Sequence, residues 1–308
     1  MIDLNETAQV GQTNLSFHRF GLGGAHITKS DEKTGVETVQ YALEHGIKFI
    51  DTAPLYTAGV SETYIGQALK GVPRDQYVLA SKVGRLVRDN KIITDYSRDG
   101  IFRSLEESLC RLKLDHIDIL HLHDADNHYQ IAIDEAFPAL HDLRRQGVIK
   151  AVGAGMNQWE MLMQFAQQDL IDCCLLAGRY TLLEQESLSF LALCHQKKVS
   201  VILGGVYNSG ILSGNLNTNI NYNYSPAPEP ILDKAHRIQA ICQQHNVPLN
   251  AAALQFPMAH PGVAAMVIGA ENKDQVAANI KAAQTPIPAQ FWLDLQAAGL
   301  LELGTPTP

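Results

Sequence analysis

Short apolar runs alternate with longer amphipathic stretches along almost the whole chain, and this alternation constrains the fold more than any other feature. Runs rich in β-branched residues predict strands, whereas apolar residues at helical spacing predict helices. The predicted strands are Arg19–Gly23, Lys48–Asp51, Tyr77–Lys82, Ile117–His123, Ile149–Ala154, Cys173–Leu176, Ser200–Leu203 and Ala265–Ile268. The helical stretches between them include Thr38–His45, Ser61–Leu69, Gly100–Leu112, Glu135–Gln146, Trp159–Gln168, Gln185–Gln196 and Pro230–Asn246.

Most of the predicted strands are apolar on both faces, which is typical of a parallel sheet covered by helices on both sides. Units of this kind, repeated about eight times, suit the roughly 250 residues of a closed barrel. A doubly wound open sheet needs fewer units and usually carries a GxGxxG turn after its first strand. Residues 21–24 read Gly-Leu-Gly-Gly and lack the third glycine. We therefore predict an α/β fold, a (β/α)8 TIM barrel.

No linker rich in Pro, Gly or Ser divides the sequence, and no shift in composition marks a second unit. We expect a single domain over residues 1–308, with a short lead-in at 1–17 and a C-terminal extension from about 285 to 308. The least regular stretch is Gly204–Pro230, which follows the seventh predicted strand. In a barrel, a long loop at this place lies on the active-site face and is often functional.

Composition narrows the classes of partner. Hydrophobic residues make up 46% of the chain and charged residues 18%, which is enough apolar material for a large core. The net charge of −8 comes with no run of Lys or Arg, so nucleic-acid and membrane partners are disfavoured and a small-molecule substrate is expected. The polar start of the chain predicts a cytoplasmic protein. The cysteines lack metal-site spacing and are predicted to be buried free thiols: Cys110, Cys173, Cys174, Cys194 and Cys242.

Four ionisable side chains fall at or just beyond the carboxyl ends of consecutive predicted strands, where a barrel collects its catalytic groups: Asp51, Tyr56, Lys82 and His123. Reduction of a carbonyl needs a hydride on carbon and a proton on oxygen, so a group that gives and takes a proton is required. A phenol with a pKa of about 10 is a weak base near neutral pH. We expect a neighbouring Lys cation, itself held by Asp, to lower that pKa, and His to orient the substrate oxygen.

Three motifs around these side chains resemble the aldo-keto reductase family, and the resemblance runs along nearly the whole chain. They are Phe49-Ile-Asp-Thr-Ala-Pro-Leu-Tyr56, Ala80-Ser-Lys-Val83 and Asp118-Ile-Leu-His-Leu-His-Asp124. The resemblance implies a nicotinamide-dependent oxidoreductase with a catalytic tetrad of Asp51, Tyr56, Lys82 and His123. His121 is the competing histidine, and the family spacing favours His123.

Further segments resemble the sugar-dehydrogenase branch of that family, the L-fucose and D-threo-aldose 1-dehydrogenase type with pyridoxal 4-dehydrogenase as a relative. The segments are His121–Asp124, Ala151–Gln158, Leu175–Leu183 and Gly204–Gly210. The branch implies oxidation of the anomeric carbon of a free aldose to a lactone, with Tyr56 as the general base. The alternatives are a broad NADPH-dependent aldehyde or ketone reductase and a pyridoxal 4-dehydrogenase.

The same resemblance assigns a cofactor site. Asn157 stands one position from the usual amide-binding Asn, because the chain reads Gly-Ala-Gly-Met-Asn at 153–157. Ala177 replaces the usual Gln, and Gly204 stands where many members stack an aromatic ring. The loop residues expected to contact the cofactor are Gly205, Tyr207, Ser209 and Gly210. Backbone N–H groups and a hydroxyl in such a glycine-rich loop suit a pyrophosphate.

The segment Val267–Asn279 resembles the part of the family that grips the adenosine end of the cofactor. The residues implied are Gly269, Ala270, Glu271, Gln275 and Asn279. A 2′-phosphate gains from Arg or Lys and loses when an acid faces it, so Glu271 favours NAD over NADP. Glu271 could accept from a ribose hydroxyl, or it could be an ordinary solvated acid at a helix start. Lys273 leaves room for NADP.

Two other functional classes are disfavoured by the residues at the strand ends. A non-catalytic barrel that binds cofactor as a sensor is disfavoured by the intact tetrad, and metal-dependent chemistry by the presence of Tyr and Lys at the strand ends. No metal is expected. Substrate specificity is expected to depend on Leu55, Arg85, Asp124, His128 and the chain beyond Phe291.

Overall fold

A computed structural model describes residues 1–214, 216, 221–223 and 225–308 of the chain. Within these ranges the strands are β1 (Thr7–Gln9), β2 (Ser16–His18), β3 (Phe20–Gly23), β4 (Phe49–Asp51), β5 (Val78–Val83), β6 (Arg85–Arg88), β7 (Lys91–Thr94), β8 (Ile119–His123), β9 (Ala151–Met156), β10 (Cys173–Ala177), β11 (Ser200–Gly204), β12 (Asn221–Tyr222), β13 (Ser225–Pro226) and β14 (Val263–Gly269). The helices are α1 (Glu32–Glu44), α2 (Val60–Ala68), α3 (Arg98–Leu112), α4 (Tyr129–Ile131), α5 (Phe137–Arg145), α6 (Trp159–Gln167), α7 (Leu188–Lys197), α8 (Glu229–Gln244), α9 (Leu249–Gln255), α10 (Lys273–Ala283) and α11 (Ala289–Ala297).

Eight of the described strands form a closed barrel in the order β3, β4, β5, β8, β9, β10, β11 and β14, and β14 closes onto β3. Every neighbouring pair in the barrel is parallel. These are the strands that the sequence predicts, with bounds that differ by one or two residues, so the (β/α)8 prediction is confirmed. All carboxyl ends therefore meet at one rim of the barrel.

The barrel strands are buried because apolar side chains cover both of their faces. Inside the barrel, residues such as Phe49, Ala80 and Ile202 form one cluster. A larger cluster lies between the barrel and the helices around it. At about 25 cal/mol per Å² of buried apolar surface, these two layers supply the main stabilisation of the fold.

The antiparallel pair β1–β2 closes the barrel at the amino ends of its strands. Val10 and Phe17 are fully buried in the inner cluster, and the Phe17 ring stacks on Phe49 with 4.8 Å between centroids. The Gly11 N–H donates to Ser200 Oγ at 2.8 Å, and Ser200 Oγ donates to the Gln9 carbonyl at 2.9 Å. The barrel is thus open to ligands at its carboxyl rim.

Several elements were not predicted from the sequence. The β6–β7 hairpin lies directly after β5, and its turn at Asp89 and Asn90 has φ values of 49° and 59°. Helices α9, α10 and α11 follow the last predicted helix. The helix predicted at Glu135–Gln146 begins at Phe137 instead, because residues 132–136 form a wider, π-type turn.

The long loop predicted at Gly204–Pro230 is present, and its residues 215, 217–220 and 224 lie outside the described part of the chain. Within the described ranges, every helix is too short or too polar to cross a lipid bilayer. In the same ranges, no set of three or more His, Cys, Asp or Glu side chains converges to hold a metal ion.

Candidate active site

Lys82 and Asp51 form a buried ion pair at the centre of the carboxyl rim. Asp51 is the last residue of β4 and Lys82 lies in the neighbouring strand β5, with side chains only 3% and 1% exposed. The Lys82 ammonium donates to Asp51 Oδ2 at 2.5 Å and to the Thr52 carbonyl at 2.9 Å. Asp51 Oδ1 has no partner among the described residues. The pair fixes the ammonium group within the rim.

Tyr56 lies beside this ion pair because the chain turns sharply after β4. Thr57 and Ala58 have φ values of 49° and 53°, a left-handed conformation that costs free energy and is held by the surrounding contacts. The Lys82 ammonium lies 4.8 Å from the centroid of the Tyr56 ring. The edge of that ring meets the His123 ring at an interplanar angle of 90°, with 6.2 Å between centroids.

His123, the last residue of β8, is the histidine that lies beside Tyr56. Its side chain is nearly buried, and Nδ1 has no partner among the described residues. His121 points to the same side of β8 but sits one layer deeper, fully buried against Gly153. A Cβ at Gly153 would lie 2.2 Å from His121 Nδ1, so this glycine makes the space for the deeper ring. The geometry favours His123 over His121, as the family spacing does.

The electrostatics of the cluster differ from the sequence-based expectation at Tyr56. Lys82 does lower the pKa of the phenol, but burial raises it more, so the pKa lies above its ordinary value of 10. The expectation of a lowered pKa was wrong because it took account of the cation and not of desolvation. Burial lowers the pKa of Lys82, but Asp51 and Tyr56 together raise it more, so this pKa lies above its ordinary value. Burial and the nearby cations hold the pKa of His123 well below 6.5, so its ring is neutral at pH 7.

Arg85 and Asp124 form a second ion pair at the rim, next to the tetrad. Arg85 begins β6 and donates to Asp124 Oδ2, and each side chain is about one-quarter exposed. Asp124 Oδ2 lies 3.8 Å from His123 Nε2. The Tyr96 hydroxyl contacts the carbonyl oxygens of His123 and Asp124, each at 2.8 Å. Tyr96 was not singled out from the sequence, where nothing separates it from a core tyrosine.

The other side chains expected to contact the substrate lie in different surroundings. Leu55 is half-buried directly before Tyr56, and His128 is exposed, with its ring 5.0 Å from that of Tyr96. Phe291 is fully buried on α11, which packs against α8. The proposed contact of this C-terminal segment with substrate stays a prediction.

The ends of β10 and β11, which lie across the barrel from β4 and β5, carry very small side chains. Ala177 and Gly204 are register partners at the ends of β10 and β11. A Cβ at Gly204 would lie 3.3 Å from Leu175 Cδ2 and 3.9 Å from Ala177 Cβ. Asn157 Nδ2 donates to the Ala177 carbonyl at 2.9 Å, which fixes the amide beside this space.

The loop after β11 has a left-handed backbone at several of its predicted contact residues. The φ values are 63° at Gly205, 58° at Ser209 and 97° at Gly210, and these three residues are exposed. The Tyr207 hydroxyl donates to Asn279 Oδ1 at 2.9 Å. This bond joins the loop to α10, so the structure brings together the two segments predicted to hold the cofactor.

Glu271 precedes α10 and is paired with a cation that the sequence did not reveal. Lys29 donates to Glu271 Oε1 at 2.9 Å, although the two residues are 242 positions apart. This hydrogen bond is the main cause of the lowered pKa of Glu271. The Gln275 side chain accepts from the Glu271 N–H at 2.9 Å. Gly269 is half-buried at the end of β14, and Ala270 is fully buried in the outer core, so the methyl group of Ala270 serves packing.

The cysteines carry no disulfide in the structure. Cys173, Cys174, Cys194 and Cys242 are buried free thiols, as predicted. Cys110 is exposed, so the prediction that it is buried was wrong. It lies on the solvent face of α3, whose buried residues at neighbouring positions are Ser108 and Leu112.

Comparison with known proteins agrees with this architecture. The sequence model of the aldo/keto reductase family matches residues 19–299. The chain is 35% identical to D-threo-aldose 1-dehydrogenase from a Pseudomonas species, over 96% of both proteins. It is 32% identical to pyridoxal 4-dehydrogenase from Microbacterium luteolum, over 96% of this chain and 98% of the relative. The holo form of an aldo-keto reductase from Bacillus halodurans has a TM-score of 0.83 and 28% identity, over 97% of both chains. The chain belongs to the aldo/keto reductase family of oxidoreductases.

Proposed function

We propose that the protein is a dehydrogenase that oxidises the anomeric carbon of a free aldose to a lactone and prefers NAD to NADP. The observation that carries the proposal is the buried cluster at the carboxyl rim, in which Lys82 lies between Asp51 and the Tyr56 ring. The similarity to a D-threo-aldose 1-dehydrogenase over nearly the whole of both chains supports an aldose as the substrate.

The residues around the rim fit a nicotinamide dinucleotide. The small side chains of Ala177 and Gly204 leave space at the rim, across the barrel from Asp51 and Lys82, that larger side chains would fill. Asn157, Tyr207 and Asn279 supply polar groups along one side of the rim and would hold the two ends of the cofactor. When bound, the oxidised nicotinamide accepts the hydride from the substrate carbon.

The side chains of the tetrad would move the proton that accompanies this hydride. Tyr56 accepts the proton of the anomeric hydroxyl as the carbon becomes a carbonyl. Lys82 stabilises the resulting phenolate, and Asp51 keeps Lys82 charged and in place. The neutral His123 ring has one N–H with which to orient the substrate oxygen.

The preference for NAD rests on the charges at the start of α10. The carboxylate of Glu271 would face a 2′-phosphate, and like charges repel. Lys29 is the nearby cation, and Glu271 already neutralises it at 2.9 Å. A ribose hydroxyl, in contrast, could donate to the same carboxylate.

A second candidate is an NADPH-dependent aldehyde reductase, and the pKa of Tyr56 favours it. Because burial raises that pKa above its ordinary value, the phenol keeps its proton at neutral pH and the phenolate that oxidation would need is scarce. An acid at this position is what reduction of a carbonyl requires. Pyridoxal is a further candidate substrate, which the similarity to a pyridoxal 4-dehydrogenase supports.

The test is steady-state turnover of the purified protein on free aldoses and pyridoxal with NAD and NADP, and on simple aldehydes with NADH and NADPH. We expect aldose oxidation with NAD to be fastest, and Tyr56→Phe to lose about 10²- to 10⁴-fold in kcat. Tyr41→Phe is the matched control, since Tyr41 lies on α1 and stacks on His45. Faster reduction of simple aldehydes with NADPH would refute the proposal and support the second candidate.

A further inference from the structure

The Arg85–Asp124 pair is held over the barrel mouth by the local backbone. Gly84 has a φ of 96°, which turns the chain from β5 into the β6–β7 hairpin and brings Arg85 over the rim. A Cβ at Gly84 would lie 2.3 Å from the Tyr96 ring, so only glycine fits between the two strands at this turn. The Arg85 guanidinium then reaches Asp124 directly.

Asp124 is itself fixed in an unusual conformation. Its φ of 44° is in the left-handed region, and its N–H donates to the Gly155 carbonyl at 2.9 Å. The contact of the Tyr96 hydroxyl with the carbonyl oxygens of His123 and Asp124 braces the end of β8. Asp adopts this conformation at lower cost than most non-glycine residues, and hydrogen bonds at its N–H and at its carbonyl oxygen hold it there. These contacts therefore fix the position of the Asp124 carboxylate at the rim.

The pair lies close to the reacting groups and remains open to ligands. Asp124 Oδ2 is 3.8 Å from His123 Nε2, and the carboxylate is near enough to Tyr56 to raise the pKa of its phenol. About one-quarter of each side chain of the pair is exposed. In a substrate bound at Tyr56 and His123, the carbons next to the reacting carbon would therefore lie beside Arg85 and Asp124.

Arg85 and Asp124 together offer what a polyhydroxylated substrate needs. A guanidinium has five N–H donors, of which the ion pair uses only part, and a carboxylate only accepts. A hydroxyl group both donates and accepts, so two adjacent hydroxyls can each satisfy one partner of the pair. We infer that Arg85 and Asp124 form a subsite that recognises adjacent hydroxyl groups of the substrate, next to the carbon that reacts. This inference rests on the proposed aldose substrate and names the residues that select it.

The test compares two three-carbon aldehydes, glyceraldehyde and propanal, which differ by two hydroxyl groups. Both are assayed in the direction of reduction, so the comparison works whether or not the protein oxidises aldoses. The variants are Asp124→Asn, which keeps a residue tolerant of positive φ, Arg85→Met, and Arg85→Lys, which keeps the charge. Arg88→Met is the matched control, because Arg88 pairs with Glu107 at the far end of β6.

We expect the wild type to prefer glyceraldehyde in kcat/KM, and Asp124→Asn and Arg85→Met to lose about ten- to hundred-fold of that preference. Turnover of propanal should fall less than turnover of glyceraldehyde, Arg85→Lys should keep part of the preference, and Arg88→Met should keep all of it. An equal loss on both aldehydes would overturn the inference, since the pair would then only position His123. An unchanged preference, or none in the wild type, would overturn it as well.

Failure of the proposed function gives a different result. A wild type that oxidises no free aldose would refute that function, while the ratio of glyceraldehyde to propanal would still decide the role of the pair. Thermal midpoints of the variants within a few degrees of the wild type would show that the fold is intact. A variant that fails to fold is replaced in the comparison by Arg85→Lys, whose partial loss of preference is still expected.

Discussion

Replacing Lys82 by Met should destabilise the protein in a pH-dependent way. The Asp51 side chain is 3% exposed and accepts from Lys82 at 2.5 Å, so the variant leaves a buried carboxylate without its counter-charge. Removal of one partner from a buried ion pair costs about 3–5 kcal/mol. For a chain of 308 residues, this corresponds to a fall of about 5–8 °C in the thermal midpoint.

The pH dependence follows from the pKa of Asp51. Burial already raises that pKa in the native protein, with Lys82 opposing the rise, so it should be higher still in Lys82→Met. A carboxyl group whose pKa is raised by folding does not lower the free energy of unfolding at a pH below its unfolded pKa of about 4, because it is protonated in both the folded and the unfolded state there. The cost grows as the pH rises towards the folded pKa. The loss of stability in the variant should therefore be small at pH 4 to 5 and larger at pH 8.

The assay is differential scanning fluorimetry of the wild type, Lys82→Met and the double variant Asp51→Asn/Lys82→Met between pH 4.5 and 8.5. The double variant should recover much of the loss at pH 8, because it removes the unpaired charge. Lys29→Met is the control, since it breaks an exposed ion pair and should shift the midpoint by about 2 °C or less. The reasoning would be refuted if the fall in the thermal midpoint of Lys82→Met were independent of pH, or if the double variant had no higher midpoint than Lys82→Met at pH 8.

Three further predictions follow from the site and its surroundings. The rate of aldose oxidation should rise up to about tenfold per pH unit in the alkaline range, because the raised pKa of Tyr56 keeps the fraction of phenolate low at lower pH. No inflection is expected near pH 6.5, since His123 stays neutral. A bell-shaped pH profile of kcat/KM centred on neutral pH would contradict this. Gly153→Ala should lower the free energy of unfolding by at least about 1–3 kcal/mol, because its Cβ would lie 2.2 Å from the buried His121 ring. The measurement is the thermal midpoint, and an unchanged midpoint would mean that the His121 ring moves aside freely. Glu271→Gln should improve binding of NADPH relative to NADH by about tenfold in fluorescence titrations, since it frees a cation for the 2′-phosphate, and an unchanged ratio would place the phosphate elsewhere.

The strands and the polar side chains at their carboxyl ends could be predicted because their signals are local. A buried parallel strand needs an apolar run, and the rim of a barrel needs polar residues at the ends of such runs, as at Asp51 and His123. Helix α10 also has a local signal, since the Asn272 side chain accepts from the Gln275 N–H at 3.0 Å, but this segment was interpreted only as a cofactor site. The Asp89-Asn90 turn of the β6–β7 hairpin is a similar signal that was not used.

Other features depend on residues far apart in the sequence. The Lys29–Glu271 pair joins the start and the end of the barrel, and no spacing rule reveals it. The pKa of Tyr56 is set by how much protein surrounds the phenol, a quantity that appears only after packing. The exposure of Cys110 depends on which face of α3 turns outward, and its sequence neighbours left that choice open.

The β1–β2 pair closes the amino end of the barrel, and this closure affects the electrostatics of the charged groups at the opposite rim. Val10 and Phe17 extend the apolar inner cluster to the amino end of the barrel, so the interior is of low polarity. Low polarity strengthens the attraction between Lys82 and Asp51 and also produces the desolvation that raises the pKa of Tyr56. Without this floor, the apolar side chains at the amino end of the inner cluster would face water, and the interior would be less well shielded from solvent. The pKa of the Tyr56 phenol thus depends partly on a hairpin at the opposite end of the barrel.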